Sequence, residues 1–400
     1  MKKFFSVLWK RPVFNDMTEE RKVDWIELFY DLVFIVLISR LAHTLILRPA
    51  WDTIIEYTFL FLAVWFTWIS SVYYHDLAKV EGIRIIVFTF IKMLSVGMMT
   101  LFIHGALGEN STGFASGYIL HHGLMSFLFY RLLIHNKNND LTRGLPVPVI
   151  FYGISTGLFA ISLLFPIEYR LYFWGIALFI DFLMPLAYTY KMGEKSFRGS
   201  PRKLKMMERF GLFTIIVLGE GIISIFTGLS EHHFLSVEIM VAGFIQFILI
   251  FTLWYIYFRT VEKRSIKQGV WWRQFWTYLH FIMFTCMIMI GASMLYLIEH
   301  YHSISGGKIY LTAFGITMIV FAVFELCLEK DVSYKGRKVD FYLIFSTKLI
   351  GGVITLLMGL INVRISAMML LIIFLGITSV VVYFMLREYI REELYLLKQD

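Results

Sequence analysis

Glu208-Arg-Phe-Gly-Leu-Phe-Thr-Ile-Ile-Val-Leu-Gly-Glu220-Gly-Ile-Ile223 reads as an apolar helix with one carboxylate at its mouth and a second in its middle. A carboxylate twelve residues into a membrane span is costly and calls for a partner or a cavity. Gly219 and Gly221 flank Glu220, and Gly211 and Gly228 extend the small surface. Small residues fit either close packing against another helix or water beside the carboxylate.

Working outward, similar apolar stretches recur through all 400 residues, which are 58% hydrophobic, 18% aromatic and only 16% charged. Soluble chains carry about 25% charged residues, so the composition implies an all-α integral membrane protein. Twelve stretches have the roughly 20-residue length that spans ~30 Å of hydrocarbon. They are 25–46, 52–74, 83–105, 112–133, 147–167, 170–190, 208–228, 238–258, 273–297, 309–329, 341–362 and 365–386. Short links after the third and fifth imply tight antiparallel hairpins. Residues 1–24 are polar, so the first span is expected to target the chain and to stay in place.

Thirty of the 37 Lys and Arg residues fall on one side of these spans, including most of the basic linker 191–207. The other side holds Arg48, Arg170, Lys308 and Arg364. This bias places both termini in the cytoplasm and explains the net charge of +8 without a nucleic-acid partner. Trp25, Trp51, Trp174, Trp271 and Trp272 lie near span ends, as interfacial aromatics do. Residues 387–400 read as a cytoplasmic tail forming a short amphipathic extension.

The chain also resembles itself. Residues 86–101 align without gaps with 282–297, sharing Ile86/Ile282, Phe88/Phe284, Thr89/Thr285 and Met93/Met289. The first span from Glu27 aligns with the seventh from Glu208. The economical reading is two parallel six-helix repeats, 25–190 and 208–386, with a site between them.

Two motifs carry a resemblance to a known family. Glu27-Leu-Phe-Tyr-Asp31-Leu-Val-Phe34 opens the first span, and Arg209-Phe-Gly-Leu-Phe-Thr-Ile-Ile-Val-Leu-Gly-Glu220 opens the seventh. Together they resemble the bacterial low temperature requirement protein A (LtrA) family over essentially the whole chain. That resemblance implies a multi-spanning inner-membrane protein linked by name to growth in the cold, with no established reaction. Members often carry an Asn-Arg and acidic cluster after the second span, where this chain reads Tyr74-His75-Asp76-Leu-Ala-Lys79.

The intramembrane charges are the candidate ion or substrate path: Glu220, Arg40, Asp31, Glu27, Lys92, Asp181 and Lys348. Glu27 and Asp31 share a helix face by their i,i+4 spacing. They suit either a cation or proton site, or interfacial pairs that bind loop arginines. Through the repeat, Glu220 falls level with Ser39, beside Arg40, and a Glu220–Arg40 pair is expected. Depth alone suggests a Lys92–Asp181 pair, and a partner for Lys348 in Glu325 or Asp31. The adjacent His121 and His122 point about 100° apart and cannot chelate one ion. No metal, nucleotide or paired-cysteine signature is present, so no cofactor is expected. Cys286 and Cys327 both lie in apolar spans.

Transport or ion permeation is the leading expectation. An intramembrane enzyme acting on a lipid, with Glu27 and Asp31 as its acid–base pair, is one alternative. A sensor or scaffold whose ion pairs are structural is the other.

Overall fold

The computed structural model describes residues 11–14, 23–47, 50–79, 82–193, 205–231, 236–262, 264–299, 307–329, 337–361, 363 and 365–397. Residues 194–204 of the basic linker, and the outer-loop pair His232-His233, fall outside them.

Twelve α-helices account for nearly all of these residues: α1 (Trp25–Leu47), α2 (Trp51–Leu77), α3 (Ile83–Leu101), α4 (Ser111–His135), α5 (Pro146–Ser162), α6 (Ile167–Met192), α7 (Lys205–Glu231), α8 (Val237–Tyr257), α9 (Val270–Glu299), α10 (Gly307–Cys327), α11 (Arg337–Leu360) and α12 (Ala367–Leu396). Ten helices among the described residues are long and apolar enough to cross a bilayer, so this is an all-α, multi-pass membrane protein. The two helices outside that set are α1 and α4. The first carries Glu27, Asp31 and Arg40 and the second carries His121 and His122.

Helix limits follow local chemistry. Pro146 occupies the first turn of α5, where its missing N–H costs nothing. The Ser236 hydroxyl caps α8 by accepting from the Ile239 amide at 3.3 Å. Among the limits that differ from the sequence expectation, two have a visible local setting. The third helix stops at Leu101, short of 105, where Gly105 takes a left-handed φ of 72°. The last runs on to Leu396, so residues 387–396 continue a spanning helix. Arg391 fastens that stretch to α11 by donating to both Asp340 oxygens, at 3.0 and 3.1 Å. A short ladder pairs β1 (Val13–Phe14) antiparallel with β2 (Ala78–Lys79), tying residues before α1 to the end of α2.

The chain divides into two compact units. The first comprises residues 1–44, 51–213 and 268–274, and the second 45–50, 214–267 and 275–400. The division falls inside α7, between Phe213 and Thr214, beyond the basic linker. In the first unit α3, α4, α5 and α6 pack in succession, and α2 packs on α6. In the second, α10 packs on α11, α11 on α12, and α8 on α12.

Small residues permit the closest approaches. In the first unit, a Cβ on Gly117 of α4 would lie 2.7 Å from the Ser95 carbonyl oxygen of α3. In the second, a Cβ on Gly315 of α10 would lie 2.6 Å from the Leu356 amide nitrogen of α11.

Candidate functional site

The first unit buries a set of polar side chains that an apolar bundle does not need for packing. Two groups of them are distinct in chemistry.

Asp31, 1% exposed, is the first anchor. Arg209 Nε donates to Asp31 Oδ2 at 3.2 Å, and Arg209 Nη2 makes a close ion pair with Oδ1. Trp68 Nε1 also donates to Oδ1, at 2.9 Å. The guanidinium carbon lies 5.9 Å from the Trp68 ring centroid. Phe210 and Phe213 pack on the same indole at 5.0 and 4.3 Å. The motif opening α1 and the motif opening α7 thus meet around Trp68. A fork-shaped cation on a carboxylate neutralises both charges, and the indole N–H uses a remaining lone pair. Asp31 is held as a structural anion.

Glu27, one turn earlier on the same face, takes a different partner. Its Oε1 lies 3.4 Å from His75 Nδ1. His75 Nε2 lies 2.9 Å from Lys92 Nζ, which also donates to Ser71 Oγ at 2.8 Å. The two ring nitrogens of His75 thus face different partners, Nδ1 towards Glu27 and Nε2 towards Lys92. Lys92 Nζ stands 4.8 Å from the centroid of Tyr30. The Tyr30 hydroxyl lies 3.0 Å from His121 Nε2. His121 is followed directly by His122, their ring centroids 5.5 Å apart.

The far end is Asp181, near the middle of α6. Its Oδ2 accepts from Ser155 Oγ at 2.7 Å and closely from the Tyr118 hydroxyl. His122 Nε2 stands 3.6 Å from the same oxygen, and its ring stacks on Tyr118 at 3.9 Å. Asp181 Oδ1 is buried with no hydrogen-bond partner among the described residues, while His122 is bonded to the Tyr118 backbone one turn before it. Buried polar atoms in folded proteins are nearly always satisfied, so each exception calls for an explanation; Gln246 Oε1 in the second unit is another.

The second unit shows the contrasting case. Lys348 Nζ donates to Glu325 Oε1 at 2.8 Å and to Thr260 Oγ1 at 2.9 Å. Arg264 closes on Glu325 Oε2 and donates through Nη2 to the Glu329 carbonyl at 3.1 Å. A π-helical turn over Phe258–Glu262 presents Thr260 there. His280 is partnered at both ring nitrogens: Nδ1 by the Trp276 carbonyl at 2.8 Å, Nε2 by the Tyr257 hydroxyl at 3.1 Å. These groups are closed, as structural ones are.

The remaining path residues belong to different units. Arg40, in the first unit, is exposed. Glu220, in the second, is buried at 5%. The glycines beside it settle differently. A Cβ on Gly221 would lie 2.9 Å from Ile250 Cδ1 and 3.7 Å from the Gly291 Cα, whereas one on Gly219 would meet nothing within 4 Å. Gly221 serves close helix packing. The expected Lys92–Asp181 pair does not form, because His75 with Ser71 and Tyr118 with Ser155 satisfy the two ends separately. Of the two partners weighed for Lys348, the structure gives Glu325. His75, Ser71, Tyr30 and Tyr118 escaped the sequence reading. The i,i+4 spacing of Ser71 and His75 on an otherwise apolar face was the available signal.

Among the described residues no group of three or more His, Cys, Asp or Glu side chains is arranged to hold a metal ion.

The model of one protein family, described as Bacterial low temperature requirement A protein (LtrA), matches residues 22–385. An uncharacterized protein of Rhizobium meliloti (strain 1021) is 24% identical over 277 residues. That alignment covers 64% of this chain and 63% of the relative, so the matched region spans less than two thirds of the relative's length. No solved structure matches.

Proposed function

The chain belongs to the bacterial low temperature requirement A protein family, and from that premise we propose that this multi-pass membrane protein is a secondary transporter or ion-permeation protein working through the polar chain of its first unit. The observation that carries the reading is the run of buried side chains from Glu27 through His75, Lys92, Tyr30, His121 and His122 to Asp181. Ionisable groups inside a bundle are expensive, and an ion pathway is the commonest reason they persist. The ion pairs Asp31–Arg209 and Glu325–Lys348 join opposite charges directly and serve as structural anchors. Arg40 and Glu220 remain candidate path residues on charge and depth.

The lipid-enzyme reading needs Glu27 and Asp31 as a working acid–base pair. Asp31 is committed to Arg209 and Trp68, which weakens that reading.

Two parallel repeats remain part of this proposal. Their support is the internal sequence alignment together with matching helix pairs. The second helix of each half packs on the sixth, and the fourth packs on the fifth. Cytoplasmic termini in a bacterial inner membrane belong to the same proposal, supported by the basic-residue bias.

Purified chain reconstituted into liposomes, with an imposed pH or potassium gradient, tests the function. Gradient-driven flux of an ion or small solute is expected, lowered about tenfold or more by Lys92→Met in folded protein. The reading is abandoned if a panel of cations, anions and solutes shows no flux above empty liposomes.

A further inference from the structure

We infer that Asp181 and His122 form a proton-holding site and that the ion moved through the first unit is the proton. This inference rests on the transport reading above and names its ion.

Asp181 has one saturated oxygen and one bare one. Oδ2 takes both hydroxyls, Ser155 at 2.7 Å and Tyr118 close by. Oδ1 has no partner among the described residues. A proton on Oδ1 removes the buried charge without disturbing the bonds at Oδ2. When Asp181 gives that proton up, the carboxyl must first turn, or a water must bridge, to carry it from Oδ1 to the imidazole, whose Nε2 lies 3.6 Å from Oδ2. The carboxylic acid and neutral imidazole become a carboxylate and an imidazolium. One O–H bond breaks, one N–H bond forms, and the pair keeps its net charge. No uncompensated charge is left in a low-dielectric interior at either stage.

The surroundings suit a proton better than a metal cation. One carboxylate, two hydroxyls and an imidazole offer few oxygen ligands for a hard cation. The titratable groups facing the pair are Tyr118, Tyr152 and His121. From His121 the Tyr30 hydroxyl, at 3.0 Å, leads back toward Lys92 and His75. The ring-to-ring steps need a side-chain rotation or a bridging water.

Backbone chemistry adds mobility at this point. Pro185 sits inside α6, four residues after Asp181. It supplies no N–H to the Asp181 carbonyl, and its ring pushes against that turn. The helix therefore lacks one backbone hydrogen bond at the turn that carries Asp181.

The test combines a spectroscopic and a transport measurement on the full chain. Infrared difference spectra across a pH titration in lipid are expected to show a buried carboxylic-acid band that Asp181→Asn removes. In liposomes carrying an internal pH dye, a potassium diffusion potential is expected to drive proton uptake without sodium. Asp181→Asn and His122→Gln each lower the initial rate about tenfold or more, while Asp181→Glu keeps part of it. Thermal melting of each variant checks the fold. Proton flux unchanged in folded Asp181→Asn, or flux that requires sodium, overturns the proton assignment. Flux of another ion abolished by Asp181→Asn, with no proton movement, overturns it while leaving the transport reading standing. Absence of every flux defeats both.

Discussion

Arg209 at the start of α7 and Asp31 in α1 form a forked, fully buried ion pair, with Trp68 Nε1 donating to the same carboxylate at 2.9 Å. Removing one member strands the other charge in the interior. Arg209→Met or Asp31→Leu alone is expected to cost about 3–5 kcal/mol. The double variant should recover much of that loss. Unfolding in detergent, followed by tryptophan emission, measures the three.

The second unit predicts an asymmetry. Glu325 holds two cations, Lys348 and Arg264, on its two oxygens. Lys348→Met leaves Glu325 with Arg264. Glu325→Leu leaves Lys348, whose side chain is 0% exposed, without its anion, while Arg264 at 21% still reaches water. Glu325→Leu should therefore melt lower than Lys348→Met. Equal losses would mean that the two cations do not share the carboxylate.

Close approach and open space separate two glycines. A methyl group at Gly315 would press on the Leu356 backbone at 2.6 Å. Gly315→Ala is expected to destabilise by about 1–3 kcal/mol. At Gly219 nothing lies within 4 Å, and Gly219→Ala should stabilise by up to about 1 kcal/mol through helix propensity. Melting of the two variants in the same detergent decides this.

Histidines divide by the state of their ring nitrogens. His280 is bonded at both, to Trp276 and Tyr257. His280→Gln is expected to lower the melting temperature and to leave flux per folded molecule unchanged. His122→Gln is expected to lower flux. Flux assays normalised to monodisperse protein compare them; a transport defect in His280→Gln would show that satisfied histidines also lie on the path.

Outside the spans, His104 sits in the connection after α3. Burial first, then His43 and Arg40, hold its pKa below the ordinary histidine value. The folded chain therefore keeps His104 neutral at pH values where the unfolded chain protonates it. Its contribution to stability is present above the unfolded pKa of about 6.5 and is lost as pH falls through that value. His104→Gln should flatten the acid side of the stability profile, read from melts at a series of pH values.

Much of the fold was legible because a bilayer imposes a length. Each expected span overlaps one observed helix, from 25–46 against Trp25–Leu47 to 341–362 against Arg337–Leu360. The misses have local causes. The third helix ends at Leu101, and the connection that follows it turns through Gly105 in a left-handed conformation. The polar tail stays helical because Asp340 anchors Arg391.

The candidate site was legible only by residue type. Asp31, Lys92, Asp181 and Lys348 stand out because charge is costly in hydrocarbon. Their partners did not, since depth along a helix fixes one coordinate and leaves the facing direction open. Lys92 and Asp181 were paired on similar depth, yet they turn to His75 and to Tyr118.

By itself the sequence determined the helices, the membrane setting, the family motifs and the set of buried charges. These are local properties, set by apolar length and by the cost of a charge in lipid. Tertiary structure alone decided which charges are closed and which stay open. A hydrogen bond is satisfied within about 3 Å, and only the packing of several helices places Arg209 on Asp31 while leaving Asp181 Oδ1 without a partner among the described residues.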